Sequence, residues 1–91
     1  MPGDADPPAT PYEQAQVCLQ IIERALTEAG ASLDDVVRTR IYVTDAAHAG
    51  EVGRAHGEAF GTARPALTGI VTALLDPRWL VETEAEAILE R

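Results

Sequence analysis

The chain has 91 residues, 46% of them hydrophobic, and carries seven arginines, no lysine and fifteen acidic residues, a formal charge of −8. A chain this small forms one domain and buries only a little over ~60% of its extended surface, so a partner subunit would help it. The acidic balance disfavours a nucleic-acid partner, whose nonspecific affinity comes from clustered Lys and Arg, and the missing lysine removes Schiff-base catalysis and a phosphate-loop lysine together.

Residues 1–9 contain Pro2, Gly3, Asp4, Asp6, Pro7 and Pro8, a composition that resists packing and predicts a disordered tail ahead of a domain at residues 10–91. The opening lacks the basic and apolar succession of an export signal, and the apolar runs are too short to span a bilayer. A cytoplasmic protein without a membrane partner is expected.

Thr10, Pro11 and Glu13 form a capping box that starts a helix. Ala15, Cys18, Leu19, Ile22, Ala25, Leu26 and Ala29 then recur at three and four, giving an apolar stripe that Gly30 ends. Cys18 is the only cysteine. It excludes an internal disulfide, fits a reducing compartment, and reads as a small core residue. Ser32, the only serine, has no histidine near it, which argues against a serine nucleophile. With Asp35 it repeats the capping logic over one turn.

Val36 to Thr44 alternates as a strand, with Val37, Thr39, Ile41 and Val43 on one side and Arg38, Arg40 and Tyr42 on the other. A helix follows from about Ala46 to Phe60, although Gly50, Gly53 and Gly57 each cost about 1 kcal/mol against alanine. His48 and His56 stand eight apart, not the four that would bring two imidazoles onto one metal, so no metal site is read. The isolated glycines form no phosphate cradle, and nothing demands a cofactor. Ala66 to Leu75 and Leu80 to Leu89 read as two strands joined through Asp76, Pro77 and Arg78, an antiparallel hairpin by its short connection.

Three segments carry a resemblance. They are Ala29 to Asp45; Ala55-His56-Gly57-Glu58-Ala59-Phe60-Gly61; and Arg64-Pro65-Ala66-Leu67-Thr68 followed by Asp76 to Ala85. In order and spacing they are similar to the YjgF-type reactive-intermediate deaminase (Rid) family. The resemblance implies an α+β fold, a chorismate-mutase-like sheet packed by two helices in the order α-β-α-β-β. It also implies a homotrimer with a small-molecule ligand at the subunit interface and, if the chain is an enzyme, a hydrolase that converts reactive enamines and imines to ketones and ammonia. The resemblance also implies an N-terminal strand hairpin before the first helix; unless the true start lies upstream of Met1, a strand edge is expected to stand open to pairing.

Laid on the family pattern without gaps, the arginine that holds a substrate carboxylate falls at Leu67, a cysteine at Gly69, an asparagine at Gly53, and the glutamate that positions water at Glu82. Glu82 is thus the candidate catalytic residue, and Arg64, Leu67 and Gly69 the candidate substrate contacts. Arg64 could replace the missing guanidinium or simply be a surface arginine at a strand entrance. Loss of a bidentate charged contact weakens carboxylate binding by roughly ten- to a hundredfold. Glu82, Glu84 and Glu86 share a strand face, where they can separate into acid and base or answer Arg38 and Arg40 from a neighbouring strand. The competing reading is a catalytically silent ligand-binding or assembly subunit, or a truncated fragment.

Overall fold

A Thr-Pro-Tyr-Glu sequence fixes a helix start, and in the computed structural model, which describes residues 6–89, helix α1 (Pro11–Glu28) begins there. Thr10 Oγ1 accepts the Glu13 N–H at 3.1 Å. Gly30, at φ 83°, takes the left-handed conformation that ends α1, and the Ala31 N–H closes on Leu26 O at 2.7 Å. Residues 6–8 ahead of the cap form neither helix nor strand, but Pro8 O accepts from Gln14 Nε2 at 2.9 Å. The first five residues of the expected tail and residues 90–91 of the expected domain lie outside the described residues.

The Asp35 carboxylate accepts the Ser32 N–H at 2.9 Å and closes the turn before strand β1 (Val36–Val43). A short 3₁₀ turn at Ala46–His48 leads into helix α2 (Ala49–Phe60), followed by strands β2 (Ala66–Val71) and β3 (Val81–Ala87). The α-β-α-β-β order of the sequence reading holds. The three strands form one mixed sheet in the order β2-β1-β3, with β1 parallel to β2 and antiparallel to β3. Ala15, Cys18 and Leu19 of α1, Val52, Ala55 and Phe60 of α2, and Ile41, Val43, Trp79 and Val81 share one buried core.

Two expectations are corrected. The last two strands are not a hairpin, because β2 ends at Val71 and β1 lies between β2 and β3. The connection 72–80 instead crosses the end of β1, where the Thr72 N–H donates to Val43 O and the Thr44 N–H to Leu80 O. The expected turn does form, with Asp76 accepting the Trp79 and Arg78 N–H groups, but it lies inside a crossover. The second correction concerns Val37, which is 45% exposed while Val36 is 3% exposed. Val36 and Arg38 pair with Ala87 and Glu86, adjacent residues of β3, so Val37 is the extra residue of a β-bulge that turns Val36 inward.

Candidate functional site

Because neighbouring residues across a sheet point to the same side, register assigns each candidate a face. Leu67 lies beside Thr39 and Gly69 beside Ile41. Thr39 and Ile41 are buried under the helices, so Leu67 and Gly69 face α2. There, β1, β2 and the start of α2 line an open cleft of about 240 Å³ whose walls include Ile41, Val43, Val52 and the solvent-exposed Leu67 and Val71, with Gly53 and Gly69 as openings. A Cβ placed on either glycine meets nothing within 4 Å. Leu67, Gly69 and Gly53, the positions at which the resemblance implies an arginine, a cysteine and an asparagine, therefore border one space. Among the described residues, no charged side chain lines it.

Glu82 lies elsewhere. It stands beside Tyr42 on β3, on the sheet face away from the helices, and β1 separates it from β2. Two strand spacings place the backbones of β2 and β3 about 10 Å apart, with the Leu67 and Glu82 side chains on opposite faces. One copy of the chain does not bring them together. Arg64 is exposed, has φ 45° and does not line the cleft; it precedes β2, whereas the cleft adjoins the strand itself.

The face carrying Glu82 bears a charged ladder. Arg40 Nη1 lies 2.7 Å from Glu84 Oε1, which also accepts the Tyr42 hydroxyl at 2.7 Å, and Arg38 pairs with Glu86. The Tyr42 hydrogen bond, then Arg40, hold the Glu84 carboxyl below the usual carboxylate range. All four charged side chains are substantially exposed, so these pairs set pairing geometry more than stability.

Other chemistry-bearing residues are occupied structurally. His56 is buried, its Nε2 lies 2.8 Å from Thr39 Oγ1 and its ring 4.6 Å from that of Phe60. Burial pushes its pKa below the ordinary histidine value. Cys18 is buried, and desolvation raises its thiol to about 11, which leaves it protonated and unreactive at neutral pH. Among the described residues no group of His, Cys, Asp and Glu could hold a metal ion, and no helix is long and apolar enough to cross a membrane.

The sequence reading missed the cleft walls contributed by Ala46, Ala49 and Val71. The available signal was an uncharged run from Ala66 to Leu75 in a chain that is 24% charged. It also missed a clip between the helices. Tyr12 donates to Glu58, and the Arg54 guanidinium carbon sits 4.1 Å from the Tyr12 ring centroid.

Comparison with known proteins places this geometry among relatives. The family model described as endoribonuclease L-PSP matches residues 3–89. The crystal structure of Rv2704 from Mycobacterium tuberculosis, a member of the YjgF/YER057c/UK114 family, is similar at a TM-score of 0.86 and 49% identity, covering 96% of this chain and 72% of that one. An uncharacterized protein of Streptomyces coelicolor is 38% identical over 86 residues, covering 93% of this chain and 61% of its own length. A RutC family protein of Pyrococcus abyssi is 35% identical over 78 residues, covering 86% and 61%. The chain spans about three fifths of the length of these two curated relatives.

Proposed function

The chain belongs to the endoribonuclease L-PSP family, and on that premise we propose that it seats a small reactive metabolite in the α2–β1–β2 cleft and hydrolyses it at a junction between copies, as an enamine and imine deaminase of the Rid type. The observation that carries this reading is the convergence of Leu67, Gly69 and Gly53 on one cleft. Because Glu82 faces away from that cleft in its own chain, its role requires a second copy to bring Glu82 to the cleft mouth, in keeping with the homotrimer that the resemblance implies. There the carboxylate orients a water molecule toward the C=N carbon. The water oxygen bonds to that carbon, the C–N bond breaks, and nitrogen leaves as ammonia after taking up protons, leaving a carbonyl product.

Ribonuclease activity, which the family description names, fits this chain poorly. Its charge is −8, and His56 is buried against Thr39 rather than poised with His48 as an acid and base pair.

A silent ligand-binding subunit is the second reading. It is favoured by a specific feature of the cleft, whose lining among the described residues of one copy contains no titratable side chain. The test is to generate a free imine continuously with a flavin oxidase and follow its disappearance with wild-type protein and with Glu82→Gln. Acceleration that the substitution abolishes supports hydrolysis. No acceleration, together with measurable ligand binding, supports the silent reading.

A further inference from the structure

The cleft specifies the class of its occupant. Ile41, Val43, Val52, Leu67 and Val71 supply aliphatic walls, and among the described residues no charged side chain lines the space. The absence of a Cβ at Gly53 and Gly69 leaves it open down to the backbone of α2 and β2. An apolar cavity of ~150 Å³ takes a benzene-sized molecule. A cleft of about 240 Å³ therefore suits roughly six to ten non-hydrogen atoms.

Charge complementarity narrows the class further. An anion lying against these walls would lose part of its hydration without meeting a cation among the described lining residues, and it would approach a chain of net charge −8. A Glu82 carboxylate at the mouth, as proposed above, would add to that repulsion. We infer that the cleft binds a small, uncharged, mainly aliphatic molecule and discriminates against the carboxylate of the same shape. This inference rests on the cleft being the ligand seat proposed above.

Isovaleramide and isovalerate share a branched skeleton and differ in charge, so titrating methyl-labelled protein with each isolates the claim. Isovaleramide is expected to shift the methyl resonances of Ile41, Leu67 and Val71 and to bind at least tenfold more tightly than isovalerate. Gly69→Leu, which fills the cleft, should remove isovaleramide binding, and Leu67→Arg should move the preference toward isovalerate. Equal or tighter isovalerate binding by the unaltered chain, or methyls that stay still with both ligands, overturns the inference whatever the variants do. Imine hydrolysis is measured in parallel. Hydrolysis without the amide preference removes this inference and leaves the proposed function standing, while the preference without hydrolysis does the reverse.

Discussion

Gln14 holds three parts of the chain together and offers a sharp test of how the molecule is built. Its side chain is 2% exposed; Oε1 accepts the Leu80 N–H at 2.7 Å and Nε2 donates to Pro8 O at 2.9 Å, with a weaker contact to Arg78 O at 3.4 Å. The Leu80 contact fixes the entrance to β3 two residues before Glu82. Gln14→Leu keeps most of the volume but leaves a backbone donor and a backbone acceptor without partners. Both groups are only part-buried, so each stands at the low end of the about 1–3 kcal/mol that an orphaned buried group costs, and the cost is about 2 kcal/mol. That is a large fraction of the ~5–15 kcal/mol that stabilises a typical domain. Urea unfolding followed by the fluorescence of Trp79, the only tryptophan and 1% exposed, reads the change directly. The midpoint should fall with the slope unchanged. Gln20→Ala, an exposed glutamine on the same helix, should stay within about 0.5 kcal/mol of wild type. A Gln14→Leu protein as stable as Gln20→Ala would show that the Gln14 hydrogen bonds do not hold these segments together.

Other outcomes follow from the same geometry. Because burial lowers the folded-state pKa of His56 below its unfolded value of about 6.5, its contribution is complete above that value and is lost as pH falls through the folded pKa. Thermal melts from pH 7.5 to pH 5 should show declining stability, and His56→Leu should flatten that decline even if it lowers stability throughout. Gly57→Ala adds a Cβ that meets nothing within 4 Å on an exposed face of α2, and should stabilise the chain by about 0.5–1 kcal/mol in the same urea titration. The Cys18 thiol, raised to about 11 and buried, should react with a thiol reagent only at the rate of unfolding, and fast labelling of the native protein would contradict its placement. Arg40→Ala should lower stability only slightly, with the difference shrinking in high salt, because the Arg40–Glu84 pair is exposed to solvent.

Local signals carried much of the fold. The Thr10 cap, the Gly30 stop and the α1 stripe are written within a few residues of where they act, and each appears in place. Arg38 and Arg40 find Glu86 and Glu84 across the sheet because alternation put all four on one face. Nonlocal features were not legible. The run from Ala66 to Leu75 has strand character throughout, so nothing local marks the end of β2 at Val71, and a crossover looked like a hairpin. The bulge at Val37 shifts register by one residue, which period-two reading does not detect. The cleft was partly visible. Leu67, Gly69 and Gly53 were singled out as positions, but only the parallel β1–α2–β2 arrangement shows that they face one another, and only the β1–β3 register, which sets Glu82 beside Tyr42, shows that Glu82 faces away.

The cleft is proposed to hold its ligand without a cation and to take its carboxylate, Glu82, from a neighbouring copy. A crystal structure of the assembled protein with isovaleramide bound measures this directly. The expected result is the amide packed against Leu67 and Val71, with Glu82 of an adjoining copy at the cleft mouth and no guanidinium within 4 Å of the ligand. A guanidinium seated in the cleft, from Arg54 or Arg64 of either copy, would contradict it.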